Sequence, residues 1–167
     1  IIAAVGKITR VEPARGGVRL AIDAGALGLG DVRVGDSIAV NGTCLTVVKR
    51  GTKGFGVDVS RETLRVTAGL DREGEVNLEK ALTLSGKLDG HLVLGHVDGV
   101  GKVTKVERVG ANRRLRVRAP ASLSRYIARK GSIAVQGVSL TVNAVRGAEF
   151  EVNLIPHTLA VTTPKGL

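Results

Sequence analysis

The sequence has few of the residues that build aromatic cores, disulfides or metal sites. Aromatic residues make up 2% of the 167 residues, tryptophan and methionine do not occur, and Cys44 is the only cysteine. A single cysteine cannot form an internal disulfide, and one thiol with three histidines lacks the clustered spacing of a structural zinc site. The core must therefore consist mainly of valine, leucine, isoleucine and alanine.

Long apolar runs and a leader-like start are also missing. No stretch reaches the roughly 18 to 20 apolar residues that a membrane-spanning helix needs, and no charged segment followed by an apolar one opens the chain. Hydrophobic residues still make up 43% of the chain and charged residues 24%, a balance that allows a buried core. We therefore expect a soluble, cytoplasmic protein with no membrane partner.

Acidic residues are in deficit, with 15 aspartates and glutamates against 25 lysines and arginines and a formal net charge of +10. Such an excess attracts nucleic acids or small anions. Proteins that bind single strands usually add stacking aromatic residues, and here only Phe55, Tyr126 and Phe150 are available. A basic barrel that binds nucleic acid is therefore the remote alternative, and no nucleic-acid partner is expected.

The sequence repeats itself, with position 37 aligning on position 132. Residues 37–47 (SIAVNGTCLTV) match residues 132–142 (SIAVQGVSLTV) without a gap, and residues 5–12 match residues 100–107 at the same offset. Roughly a third of the paired positions are identical, which indicates two copies of one domain. We place the copies at residues 1–90 and 91–167, and any ligand site in one copy should have a counterpart in the other.

Within each copy, short apolar segments alternate with turn signals. The Asn41-Gly42 dipeptide and the glycines of residues 51–54 are typical of hairpin turns. This pattern predicts a small antiparallel barrel in each copy. One short helix is predicted over residues 121–129, where Leu123, Tyr126 and Ile127 have helical spacing.

Matching polar residues indicate where a ligand could bind. Cys44 aligns on Ser139, and each lies two residues before a threonine, Thr46 or Thr141. Alternation along a strand places each pair on one face, where the four side chains could line pockets with small hydrogen-bonding groups. The alternative for Cys44 is the role of a small buried hydrophobic residue.

The histidines and one lysine are further candidates. His91 and His96 lie in the segment DGHLVLGHVDG, and imidazole suits proton transfer near neutral pH. In an extended segment their spacing puts them on opposite faces, so surface or turn-capping roles are equal alternatives. Lys130 either caps the predicted helix or holds a ligand oxygen. We interpret His157 as a polar residue of a loop.

Taken together, residues 35–47, 62–67, 90–99, 137–142 and 154–159 resemble the tandem-repeat riboflavin synthases over nearly the whole chain. The resemblance implies an all-β fold of two six-stranded antiparallel Greek-key barrels with short helices. It implies an enzyme that converts two molecules of 6,7-dimethyl-8-ribityllumazine into riboflavin and 5-amino-6-(D-ribitylamino)uracil by transfer of a four-carbon unit. It implies no metal and no organic cofactor.

The resemblance also assigns residues. It implies proton transfer by His96, and it implies that Cys44, Ser37 and Ser139 supply or position the nucleophile or the leaving nitrogen. The implied substrate contacts, some of which are also catalytic candidates, are Ile1, Ile2, Cys44, Leu45, Thr46, Asp58, Val59, Ser60, Arg61, Glu62, Thr63, Gly95, His96, Val97, Lys130, Ser139, Leu140, Thr141, Ile155, Pro156, His157, Thr158, Leu159 and Ala160.

Assembly follows from the same resemblance. It implies a homotrimer in which each site forms between the first barrel of one subunit and the second barrel of its neighbour, with lumazine synthase as a further partner. It implies a Met-Phe-Thr-Gly segment before Ile1, and a closing strand and a trimer-building helix after Leu167. The main alternative is a non-catalytic antenna protein that binds lumazine or flavin, and the enzyme is favoured by the presence of Cys44, Ser139, Lys130 and His96.

Overall fold

The chain folds into two β units, each of which has five strands followed by a short α-helix. The computed structural model describes residues 2–86 and 90–163. The first unit contains β1 (Ala4–Ala14), β2 (Gly17–Asp23), β3 (Ser37–Val40), β4 (Thr43–Arg50), β5 (Gly54–Ser60), α1 (Arg61–Val66) and β6 (Gly74–Lys80). The second contains β7 (Lys102–Val109), β8 (Asn112–Arg118), a 3-10 helix (Ala121–Tyr126), β9 (Ser132–Val135), β10 (Val138–Arg146), β11 (Glu149–Leu154) and α2 (Pro156–Val161).

The first unit is a closed six-stranded barrel. Its strand order is β1-β2-β5-β4-β3-β6, and β6 closes the barrel by pairing with both β1 and β3. Alternate residues point inward, so that Ile8, Leu20, Ile38, Val57 and Leu78 are almost fully buried. This arrangement confirms the predicted antiparallel Greek-key barrel.

The second unit repeats the first down to its irregularities. The pairing of β1 with β2 shifts register between Ile8 and Arg10, and the pairing of β7 with β8 shifts at the aligned residues Val103 and Lys105. Because a bulge redirects a strand, its recurrence at the same alignment position shows that the backbone path is repeated as well as the sequence. The predicted internal repeat is confirmed.

The two units differ in closure. The second sheet has five strands in the order β7-β8-β11-β10-β9, and within residues 2–86 and 90–163 no strand covers the outer edges of β7 and β9. Ile8 of the first barrel is fully buried, whereas the aligned Val103 is 38% exposed. The core of the second unit is therefore smaller, and five of its six predicted strands occur in the part of the chain that the structure describes.

The predicted helix over residues 121–129 is shorter and tighter than expected. It is a 3-10 helix that ends at Tyr126, because Ile127 is already extended with φ −100° and ψ 113°. Leu123 and Ile127 are half-buried, but Tyr126 is 71% exposed and lies against the Arg125 guanidinium. The expectation that Tyr126 shares one helix face with Leu123 and Ile127 was thus wrong. No helix in the described part of the chain is long and apolar enough to cross a membrane.

Candidate functional site

Polar side chains form a patch on the outside of the first barrel, across β3 and β4. Ser37 lies opposite Thr46, and Ala39 lies opposite Cys44. Directly opposed residues point to the same face of a sheet, so these four side chains are neighbours. Leu45 points the other way and is buried in the core, so it can offer this patch only its backbone. Cys44 is exposed, and its alternative role as a buried hydrophobic residue is therefore wrong.

An equivalent patch lies across β9 and β10 of the second unit. Ser132 pairs with Thr141, and Ala134 pairs with Ser139. Ser139 is half-buried and Thr141 is exposed, while the neighbouring Leu140 packs against the second core. Each unit therefore presents one small polar patch built from the same alignment positions.

The segment between the two units lies against both patches. The Cys44 N–H donates to the Gly95 carbonyl at 2.9 Å, and a ring nitrogen of His91, Nδ1, is 2.6 Å from Ser139 Oγ. Gly95 has φ +76°, and a Cβ there would lie 2.5 Å from Cys44 Cβ. Only glycine fits at this close approach.

The contact of His91 with Ser139 is the most chemically specific feature of the site. An unprotonated imidazole nitrogen can accept the hydroxyl proton of a serine, which is the arrangement that activates a hydroxyl as a nucleophile or relays a proton. His96, the residue favoured from the sequence, is exposed and makes no side-chain hydrogen bond within residues 2–86 and 90–163. His91 was a proton-transfer candidate from the sequence, but the resemblance assigned proton transfer to His96, and it is His91 that contacts Ser139.

The other predicted contacts lie where each fifth strand runs into a short helix. In the first unit, Asp58 accepts two hydrogen bonds from the Arg19 guanidinium at 2.7 and 2.8 Å. This hydrogen bonding lowers the pKa of Asp58 and raises the pKa of Arg19. Ser60 caps α1 by accepting the Thr63 N–H at 3.1 Å.

The second unit begins its helix differently. Ile155 gives no side-chain cap, and Pro156 stands at the start of α2, where its missing N–H costs nothing. Among the predicted contacts of this region, Ile155, Pro156, His157 and Ala160 are exposed, and Thr158 and Leu159 are half-buried. In the corresponding region of the first unit, Val59 is buried, and Arg61 and Glu62 are exposed.

Lys130 has an unusual backbone conformation. Its φ is +67°, and it aligns on Gly35, whose φ is +100°. Both residues donate their N–H to aligned carbonyls, Gly35 to Val47 on β4 and Lys130 to Val142 on β10. A left-handed conformation is unfavourable for a lysine, and such outliers cluster at functional sites.

The remaining predicted residues surround these features. Ile2 is buried, and its Cδ1 would lie 3.2 Å from a Cβ on Gly137. Val97 is half-buried on the segment that carries His91 and Gly95. Ile1 lies outside the described residues. The structure thus brings Ser37, Cys44 and Thr46 together with the Gly95 backbone, and Ser139 together with His91.

Ion pairs occupy much of the arginine-rich face of β8. Arg116 donates to Glu151 at 2.8 Å, and Arg118 donates to Glu149 at 2.8 Å. Hydrogen bonding to Glu151 raises the pKa of Arg116. In the described residues, no group of three or more His, Cys, Asp or Glu side chains is placed to hold a metal ion.

Comparisons with known proteins agree with this duplicated architecture. The family model for the lumazine-binding domain matches residues 1–81 and again residues 94–167. The chain is 43% identical to the riboflavin synthase of Photobacterium phosphoreum, covering 98% of this chain and 76% of that protein. It is 43% identical to the riboflavin synthase of Brucella abortus (strain 2308), covering 98% and 84%, and 39% identical to that of Bacillus subtilis (strain 168), covering 97% and 76%.

Solved structures show the same fold. LumP complexed with flavin mononucleotide and LumP complexed with 6,7-dimethyl-8-(1'-D-ribityl) lumazine each superpose with a TM-score of 0.87 at 21% identity, covering 100% of this chain and 91% of theirs. The chain therefore belongs to the lumazine-binding domain family and, within it, to the riboflavin synthases.

Proposed function

We propose that this chain is an enzyme that converts two molecules of 6,7-dimethyl-8-ribityllumazine into riboflavin and 5-amino-6-(D-ribitylamino)uracil. The observation that carries the proposal is the pair of matching polar patches, one on each unit, in a chain that belongs to the riboflavin synthases. A dismutation consumes two copies of one molecule, and a duplicated domain offers two copies of one binding surface. Each unit, residues 1–90 and 91–167, binds one lumazine.

The chemistry needs a base and a hydroxyl or thiol beside the two rings. One lumazine loses a proton from its C7 methyl group, and the other accepts a nucleophile. Ser139 is suited to that addition because His91 Nδ1 can take the hydroxyl proton as the oxygen bonds to carbon. His96 transfers the methyl proton, and Cys44 and Ser37 position the leaving nitrogen.

Much of the rate comes from holding the two rings in register, since fixed orientation removes the entropy of bringing two reactants together. Thr46 and Thr141 hydrogen-bond the rings or the ribityl chains from the matching patches. Asp58 is held ionised by Arg19 at the end of β5, so it accepts hydrogen bonds from ribityl hydroxyls. Lys130 offers its ammonium group to a carbonyl oxygen of the ring.

The assembly is part of the proposal. The active form is a homotrimer in which the first unit of one subunit faces the second unit of its neighbour, so that two lumazines meet across the contact. Association with lumazine synthase is the proposed further interaction. The cytoplasmic location expected from the sequence stays a prediction.

Two substitutions test the proposed site. Ser139→Ala and His91→Gln should each lower kcat by roughly 10²-fold or more, the usual size of a lost proton-transfer group, while the dissociation constant for lumazine changes by less than about tenfold. Riboflavin formation is followed by absorbance and binding by lumazine fluorescence. Ser122→Ala, on the exposed 3-10 helix, is the matched control and should leave both unchanged.

Two outcomes would contradict the assignment. Full turnover in both variants would remove Ser139 and His91 from the mechanism. A protein that binds lumazine without forming riboflavin, with or without the substitutions, would be an antenna protein of the same fold.

A further inference from the structure

Asn77 is a buried polar residue that bonds to both units of the chain. It lies on β6 of the first barrel and is fully buried. Its Nδ2 donates to the Gln136 carbonyl of the second unit at 2.9 Å, and its Oδ1 accepts the N–H of Thr163, just after α2, at 2.8 Å. One amide side chain thus ties the first barrel to two separate elements of the second unit.

The backbone of Asn77 also forms two hydrogen bonds, both with Asn41. Its N–H donates to Asn41 Oδ1 at 2.9 Å, and its carbonyl accepts the Asn41 N–H at 2.8 Å. Asn41 is the first residue of the turn between β3 and β4, and Gln136 is the first residue of the aligned turn between β9 and β10. Asn77 therefore contacts the same turn in both copies of the repeat.

These two turns also touch each other directly. Asn41 and Gln136 have φ values of +49° and +52°, and the glycines that follow, Gly42 and Gly137, have +80° and +78°, as in a tight hairpin turn. A Cβ on either glycine would lie 2.7 Å from the backbone nitrogen of the other. The turns pack backbone against backbone, and Asn77 lies at the edge of that contact.

The elements held in this way carry the candidate site. The first turn leads into β4 with Cys44 and Thr46, and the second leads into β10 with Ser139 and Thr141. From this geometry we infer that Asn77 is a positioning residue that fixes the angle between the two units of one subunit. The inference rests on the proposed function, because in the proposed trimer each unit faces the opposite unit of a neighbour, and the angle within each subunit sets how the two bound lumazines meet.

The amide group is specifically required at this position. A carboxylate has no proton to donate to the Gln136 carbonyl, and an aliphatic side chain would leave both the Gln136 carbonyl and the Thr163 N–H without their partner. Each unsatisfied group would then favour separation of the units so that water could reach it. The first barrel can remain closed meanwhile, because its own strand pairing uses backbone groups.

The first test replaces Asn77 by aspartate, which has nearly the same shape. Asn77→Asp should speed amide hydrogen exchange of residues 136–138 at least tenfold and lower kcat at least tenfold, with KM within about threefold of the unchanged protein. Asn112→Asp makes the same chemical change at the first residue of β8 and should alter none of these quantities. Exchange is read by mass spectrometry, without any substrate.

A second variant removes one bond without touching the core. Thr163→Pro deletes the N–H that Asn77 accepts, and the preceding Thr162 is extended with φ −136° and ψ 163°, the conformation that a residue before proline prefers. Thr163→Pro should reproduce the faster exchange and the lower kcat in smaller measure. Thr163→Ala keeps the N–H and should behave as the unchanged protein.

The outcomes separate the inference from its rivals. Unchanged exchange and kcat in Asn77→Asp would overturn it, and so would a lower kcat that returns to normal at a temperature where the variant is fully folded, because that result means a stabilising role only. If the unchanged protein forms no riboflavin, the proposed function fails and the positioning role falls with it, even if exchange at residues 136–138 shows that Asn77 joins the units.

Discussion

At the scale of single residues, Lys130 is the clearest case of a residue whose backbone conformation is unfavourable for its residue type. The aligned position of the first unit is glycine, which adopts a positive φ without strain, and the second unit makes the same backbone bond with a lysine at φ +67°. In the proposed function the Lys130 ammonium group binds a ring oxygen, which gives a reason for a lysine at this strained position.

Replacing Lys130 by glycine should therefore separate stability from activity. Lys130→Gly should leave the free energy of unfolding unchanged or raise it by up to about 1 kcal/mol, since the relief of strain exceeds the entropy that glycine adds to the unfolded chain. Turnover should fall. Arg129→Gly removes the same charge one residue earlier, where φ is not positive, and should lower stability with little effect on turnover.

The ion pair of Arg19 with Asp58 gives a prediction for pH. Hydrogen bonding to Arg19 lowers the folded-state pKa of Asp58 below its ordinary value of 3.8, so the contribution of the pair to stability is fully present above about pH 4. It is lost as the pH falls through the lowered folded-state pKa. The contribution is small because both side chains are about half exposed.

Thermal unfolding of the Arg19→Gln variant tests the direction of this pH dependence. The melting temperature of the variant should lie slightly below that of the unchanged protein at pH 7, and the difference should shrink as the pH is lowered from 4 toward 2. A difference that stays constant over this range would mean that Asp58 does not take part.

At the scale of elements, the strands and hairpins were predictable and the contacts between distant segments were not. Asn41-Gly42 and the alternation after it specify a hairpin locally, because turn chemistry and inward-facing residues depend only on neighbours. The contact of His91 with Ser139 joins segments 48 residues apart, and no local pattern determines it. The same holds for Asn77, whose partners lie 59 and 86 residues away.

The unequal closure of the two sheets predicts unequal effects of one substitution at aligned positions. Val40 on β3 is fully buried inside the barrel, where β6 pairs with β3, whereas Val135 on β9 is half-buried. Val40→Ala should lower the free energy of unfolding by about 2 to 3 kcal/mol, and Val135→Ala by about half as much or less, because less apolar surface leaves the core. Denaturant unfolding measures both, and an equal loss would show that β9 is covered in solution.

At the scale of the whole molecule, the duplication is the feature that connects sequence to function. It was visible in the alignment of residues 37–47 on residues 132–142, and the structure extends it to the bulges, the two turns and the two polar patches. Two differences between the copies fall at the candidate site, where Cys44 aligns on Ser139 and Gly35 aligns on Lys130. In the proposed function, the duplicated fold thus holds two identical substrates in two unlike surroundings.

The most direct test of this account is the conversion of 6,7-dimethyl-8-ribityllumazine by the purified chain, with both products quantified by chromatography. The account predicts that one riboflavin and one 5-amino-6-(D-ribitylamino)uracil appear for every two lumazines consumed, without added metal or cofactor. Lumazine that binds, as seen by a change in its fluorescence, but is recovered unchanged would contradict it.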